Sequence, residues 1–353
     1  MANHHSDEHK TVKSAAEMSR IPALDSLRGV AILMVVASHF LPSYVLSGTA
    51  DTIVGSLGRG GVLLFFFLSG YLIFGNIQRQ PLPVFFMRRC FKLLPAYLVN
   101  ILAIVILGAF VPDSPQYSVS AYIANILMAQ DVLRTPLVNP NYWTLVIELR
   151  FYMLLALQYY FLSDRRLLAI PAAVFLANVG FWSIYGRGSV LLTYLPVFYI
   201  GIEIFRAEHD NWSRSSLARL AVIMLVIAGS MIPFTSEHWP IADALYILSL
   251  PLVFITVLRA GWNWAWLSFF GRISYSLYLF HAWVVGYALY QYLEKTSTPL
   301  WLQVPLVFGV SFLTACLSYI WIEKPGVNLG KRLERKWLRR DVPASATRRA
   351  TTF

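Results

Sequence analysis

The chain has 353 residues, 57% of them hydrophobic and only 13% charged, with a mean hydropathy of +0.58. A soluble domain carries about 25% charged residues, so the composition excludes an ordinary water-soluble protein and predicts a polytopic membrane protein. The 29 Lys and Arg outnumber the 18 Asp and Glu, but they fall in short stretches between apolar runs, which points to membrane topology and not to nucleic acid.

Residues 1–20 are polar and carry His4, His5 and His9, a composition that predicts a disordered cytoplasmic tail. The first apolar run, 22–42, holds Arg28 and His39. Asp25 and Arg28 interrupt it, so it is unlike a cleaved signal peptide. Charges in hydrocarbon usually mark a pathway or a reaction centre. Eleven residues are close to three helical turns, which puts both side chains on one face about 16 Å apart. A bland reading makes Arg28 a snorkelling anchor paired with Asp25, and His39 a packed histidine.

Further runs long enough to span are 60–77, 92–111, 142–162, 167–185, 189–205, 217–234, 241–258, 273–292 and 300–322, giving about ten helices. The stretch 119–130 is too short to cross and reads as re-entrant or interfacial. With both termini cytoplasmic, 23 Lys and Arg lie inside and four lie outside, namely Arg59, Arg134, Arg187 and Lys295. Counting 119–130 as a crossing destroys that bias. The expected architecture is therefore all-α: a polytopic transmembrane bundle of about ten helices, residues 21–325, between the tail 1–20 and a basic cytoplasmic tail 326–353. That second tail suits anionic membrane lipids.

Several segments carry candidate chemistry. Ser69-Gly70 interrupt the second run, where small residues let helices pack closely. Arg88, Arg89 and Lys92 share one patch at the cytoplasmic entrance of the third run, with Pro95 beyond. Three cations there suit a polyphosphate such as coenzyme A, or simple positive-inside anchoring. Glu148 and Arg150 lie near the outer start of 142–162, two residues apart, so they point in different directions and do not pair. Glu148 sits at a depth similar to His39, and a carboxylate beside an imidazole fixes its tautomer for general-base work. His281 is placed in the ninth helix, as a hydrogen-bonded core histidine or a site residue. Pro325 is expected to stop the last helix. Phosphate-binding GxxxxGK[ST], metal-ligand and GxSxG patterns are absent, so no metal site and no ATP-driven motor are expected. Cys90 and Cys316 are too few for a disulfide framework.

Together these segments resemble the acyltransferase-3 family of bacterial integral-membrane O-acyltransferases. The similarity rests on LDSLRGVAILMVVASH (24–39), GVLLFFFLSGYLI (61–73), FFMRRCFKLLPAY (85–97), YWTLVIELRFYML (142–154), SYSLYLFH (274–281) and IEKP (322–325). Ser26 stands where glycine is usual, Lys92 replaces an arginine, and Leu149 and Arg150 stand where many members have Glu and Gln. The resemblance implies a multi-pass protein of the bacterial inner membrane. It implies transfer of an acyl group, usually acetyl from acetyl-CoA, to a sugar hydroxyl of a glycan or glycolipid such as O-antigen, exopolysaccharide or Nod factor. No permanent cofactor and no nucleic-acid partner are implied. Carried over by motif, Arg28, His39 and Glu148 are the catalytic set, with His39 as general base or transient acyl carrier and Glu148 orienting it. Arg28, Arg88, Arg89 and Lys92 hold the donor's phosphates. Asp25, Ser69, Tyr97, Trp143 and His281 complete the substrate-binding set. Two other classes compete: a transporter or flippase of a glycan or acyl compound, disfavoured by the lack of a visible internal repeat, and a structural subunit, which leaves the intramembrane charges unexplained.

Overall fold

The computed structural model describes residues 21–44, 48–111, 114–161, 169–234, 240–281, 286, 288–296 and 298–340. The predicted disorder of 1–20 and the histidines there lie outside these residues. The helices are α1 (Pro22–Tyr44), α2 (Gly48–Ile77), α3 (Leu82–Phe110), α4 (Val119–Ile126), α5 (Tyr142–Phe161), α6 (Ala169–Tyr185) and α7 (Val190–Tyr194). They continue with α8 (Val197–His209), α9 (Arg214–Phe234), α10 (Pro240–Ala260), α11 (Ala265–Phe280), α12 (Ala288–Lys295), α13 (Leu300–Ser318) and α14 (Lys324–Arg340).

Among the described residues, seven helical stretches are long and apolar enough to cross a membrane. Of the remaining expected runs, 142–162 is α5, with Glu148 and Arg150 about two turns from its start. The run 167–185 is the 17-residue α6. The run 273–292 is not one helix, because α11 ends at Phe280 and α12 begins at Ala288. The short helix α4 has eight residues, as its lack of apolar length required. The third span starts at Leu82 rather than 92, since Pro81 and Pro83 suit a first turn whose N–H groups need no helical partner.

Pro325 does not stop the last helix. A π-helical turn, Tyr319–Glu323, carries α13 into α14, and the Lys324 N–H bonds the Tyr319 carbonyl five residues back. Pro325 then falls in the first turn of α14, where a missing N–H costs little. The boundary drawn at 325 lies inside this continuous helix.

The chain divides into two compact units. The first comprises Met1–Leu72 and Leu167–Tyr275. Its helices meet through glycine. A Cβ on Gly29 of α1 would lie 2.1 Å from the Leu267 carbonyl oxygen, and one on Gly271 of α11 would lie 1.8 Å from that of Asp25. The α2–α8 crossing is reciprocal in the same way: Gly70 would meet the Phe198 oxygen at 1.9 Å and Gly201 the Phe67 oxygen at 2.0 Å. Backbones this close tolerate no side chain, which is the packing mode of membrane helices. Ser26 is accommodated because its hydroxyl meets Ser268 Oγ at 2.9 Å and accepts from the Trp264 N–H at 3.2 Å.

Arg59 belongs to α2 and not to an outer loop. The helix extends through it, and its burial is offset by a bidentate ion pair with the fully buried Asp243 of α10, at 2.8 and 2.6 Å. Tyr194 Oη donates to the same carboxylate at 3.1 Å. Trp262, Trp264 and Trp266 are exposed before and within the first turn of α11, as an interfacial aromatic belt requires.

The second unit comprises Ile73–Arg166 and Ser276–Phe353. Its core is stitched by amides and tyrosines. Asn100 Nδ2 donates to the Leu279 carbonyl at 3.0 Å, while its Oδ1 accepts from Tyr142 Oη at 2.6 Å and Asn139 Nδ2 at 3.1 Å. Asn125 fastens α4, with Nδ2 donating to the Pro136 carbonyl at 2.9 Å and Oδ1 accepting from the Val138 N–H at 3.3 Å. Glu323 is buried and accepts from Ser276 Oγ at 2.8 Å, so SYSLYLFH and IEKP meet at the π turn.

Candidate active site

The first unit carries Arg28, His39, Asp25 and Ser69. Pro22 at the start and Asp25 in the first turn suit the positive end of a helix, and the apolar run behind them keeps α1 unbroken through both candidates. The eleven-residue spacing is therefore three turns of one continuous helix, about 16 Å. Arg28 is half-buried and has no ion pair among the described residues, so the anchor pairing with Asp25 is not formed. His39 is exposed. Its neighbour Ser38 is buried against α2, where a Cβ on Gly58 would lie 2.1 Å from Ser38 Oγ. That contact fixes the rotation of α1 and leaves the imidazole at the surface of this unit. Ser69 is half-buried on α2 beside the Gly70 crossing.

The second unit carries the remaining candidates. The Arg89 guanidinium lies 5.7 Å over the Phe85 ring and 5.9 Å over Tyr152, and the two rings meet edge to face at 6.2 Å. Its Nε is buried and has no hydrogen-bond partner among the described residues. Tyr152 donates its hydroxyl to Glu148, one turn earlier on α5. Thus Arg89, Tyr152 and Glu148 form one chain of contacts between α3 and α5. Arg88, by contrast, is ion-paired with Glu334 of α14, and Lys92 is half-buried.

Glu148 and Arg150 do point apart, since Arg150 Nη2 pairs with Asp131 Oδ1 at 2.6 Å. Tyr97 is buried, and its hydroxyl donates to the Asn125 carbonyl at 2.6 Å, so it holds α4 in place. Trp143 is half-buried in the first turn of α5. His281 directly follows α11 and is fully buried. Its Nδ1–H is shared between the Leu277 and Tyr278 carbonyls, at 3.0 and 2.9 Å, which leaves Nε2 as the acceptor nitrogen of the neutral ring.

Sequence reasoning missed the partners. Tyr152, Asn100 and Asn139 are not among the residues that the sequence singles out. A carboxamide in an apolar run such as Leu98–Leu107 was a usable signal, because a buried amide needs partners. Among the described residues, the first unit provides an exposed imidazole and a cation without an ion pair on one helix, and the second provides a carboxylate held by a phenol and a guanidinium whose buried Nε has no hydrogen-bond partner.

A family model described as an acyltransferase domain matches residues 21–321. The chain is 24% identical over 369 residues to the peptidoglycan O-acetyltransferase OatA of Listeria monocytogenes, covering 86% of this chain and 55% of that protein. It is 25% identical over 357 residues to the O-acetyltransferase OatA of Staphylococcus aureus, covering 86% and 57%. A shorter match, 30% over 152 residues, links 40% of the chain to 39% of the acyltransferase MdmB of Streptomyces mycarofaciens. The chain spans about half the length of the long relatives it matches. No solved structure matches it. With 21–321 matched, the chain belongs to the acyltransferase-3 family.

Proposed function

We propose that this chain is a membrane O-acyltransferase that moves acetyl from acetyl-CoA to a sugar hydroxyl of a cell-surface or secreted glycan or glycolipid. It crosses the bacterial inner membrane about ten times, with both tails cytoplasmic. The observation that carries the reading is α1, where a half-buried arginine with no ion pair among the described residues and an exposed imidazole stand three turns apart on one helix of an acyltransferase-family chain. The names of the two OatA relatives support acetyl as the acyl group, and make peptidoglycan an acceptor to test beside O-antigen and exopolysaccharide.

In this reading neutral His39 takes the proton of the acceptor hydroxyl as that oxygen attacks the thioester carbonyl. The C–S bond breaks and the coenzyme leaves as its thiolate, which the imidazolium proton neutralises. Glu148 supplies the carboxylate of the site, held by Tyr152. Arg28, Arg88, Arg89 and Lys92 offer positive charge to the donor's phosphates, and the Nε of Arg89, without a partner among the described residues, is the most direct support for an anion there.

The test is label transfer from radiolabelled acetyl-CoA by membranes containing wild type, His39→Ala or Arg28→Ala at equal expression. Label in an alkali-labile glycan ester with wild type only is the expected result. Equal labelling in all three removes the assigned site, and no transfer by folded wild type reopens the transporter reading. Activity is expected to rise with pH as the imidazole of the general base loses its proton.

A further inference from the structure

The C-terminal helix α14 begins beyond the residues that the family model matches, yet it is docked on α3 inside the second unit. Gly326, Gly330 and Glu334 are four residues apart and share one face. A Cβ on Gly326 would lie 2.8 Å from the Phe91 carbonyl oxygen and 2.9 Å from Pro95 Cγ, and one on Gly330 would lie 2.8 Å from Phe91 Cβ. Pro95 has no N–H to offer the Phe91 carbonyl, so the bare face of Gly326 closes on an oxygen the helix itself leaves open. This antiparallel contact runs down α3 from Pro95 to Phe91 and ends at Arg88.

There Glu334 forms a fork. Arg88 Nε donates to Oε2 at 2.8 Å and Nη2 to Oε1 at 2.6 Å. Glu334 is the one acidic residue of 324–340, against seven Lys and Arg. It is also mostly buried, at 12% exposure, although a lone carboxylate on so basic a helix is free to face solvent. The edge of Arg88 that it fills is the edge a guanidinium offers to phosphate, in the same two-bond geometry.

We infer that Glu334 is an internal occupant of the donor-phosphate cation Arg88, so that α14 sets donor affinity and acetyl-CoA binds by displacing the carboxylate. This rests on the reading of Arg88 as a donor ligand. Two consequences follow. Glu334 weakens donor binding without touching the acyl-transfer step, and any anion that draws α14 away, such as an anionic lipid headgroup against its cations, relieves the competition.

The experiment uses the full chain in nanodiscs of neutral lipid, with equilibrium binding of coenzyme A and steady-state transfer from acetyl-CoA. Glu334→Gln keeps the shape and removes the charge. It is expected to lower both Kd and the donor KM about threefold to tenfold with kcat unchanged, and to have no effect in an Arg88→Gln background. Glu334→Asp, which keeps the charge but shortens the arm, is expected to give a smaller gain in the same direction. If wild type binds coenzyme A and Glu334→Gln binds it equally or more weakly, Glu334 is only a fastener of α14 and the inference is overturned while the donor reading stands. If folded wild type binds no coenzyme A, the donor reading fails and the inference falls with it.

Discussion

The two compact units solve the same problem differently. The first brings backbones into contact through reciprocal glycines, at Gly29 with Gly271 and at Gly70 with Gly201, and pairs two buried carboxylates, Asp243 with Arg59 and Glu203 with Arg206 and Arg219. The second also closes α3 on α14 through Gly326 and Gly330, but ties the rest of its core with side-chain hydrogen bonds through Asn100, Asn125, Asn139 and Tyr142. The difference follows from where hydrogen bonds are available. In hydrocarbon the backbone is satisfied within each helix, so packing is decided by how closely backbones approach. Where a short helix and a long loop are drawn in, as with α4 and residues 127–141, loose backbone groups must find side-chain partners. One unit is thus sensitive to added volume and the other to lost polar atoms.

The largest effect should come from the Arg59–Asp243 ion pair. Asp243→Leu removes the carboxylate that neutralises the half-buried Arg59 and is expected to cost about 3–5 kcal/mol, whereas Asp243→Leu with Arg59→Met recovers most of that loss. Thermal melting in detergent checks this, and a double variant no more stable than the single would contradict it. Gly70→Ala is expected to cost about 3 kcal/mol, because the new methyl meets a backbone carbonyl that cannot move alone. A change of equal size at Gly108, where an added Cβ would meet nothing within 4 Å, should be silent. In the second unit Asn125→Leu keeps the volume and removes the bonds that hold the 130–138 segment, at about 2 kcal/mol. If it melts like wild type while Gly70→Ala does too, the contrast between the units is lost.

The smallest effect concerns a loop. Hydroxyls of Ser213 and Ser216 hydrogen-bond the Asp210 carboxyl, which, with help from the nearby Arg219 and Arg206, hold it below its ordinary value of 3.8. A depressed folded pKa gives stability that is present above the unfolded value and lost as pH falls through the folded one. Asp210→Asn should therefore lower Tm slightly at pH 7 and make no difference in strong acid. A deficit of equal size at every pH would show that charge is not involved.

Much of this was legible in the chain. Arg28 and His39 stand out because hydrocarbon makes each costly, and one helix does keep them three turns apart. The brevity of 119–130 and the Lys and Arg bias both argue against a crossing there, and α4 has only eight residues. What could not be read depends on partners distant in sequence. Arg59 looked like a loop cation because its carboxylate lies 184 residues away. Glu334 looked like one charge in a basic tail because nothing local announces Arg88, 246 residues before it. Pro325 read as a stop because a proline ordinarily breaks the ladder, and the π turn that accommodates it has no signature in composition.

The central claim is that His39 performs chemistry while Arg89 holds the donor, in different units of the chain. It is tested most directly by measuring coenzyme A binding and acetyl transfer side by side in His39→Ala and Arg89→Gln. The account predicts that His39→Ala binds coenzyme A as wild type does and loses transfer by about 100-fold or more, and that Arg89→Gln loses binding but regains transfer at high donor concentration. Transfer at the wild-type rate by His39→Ala would contradict it.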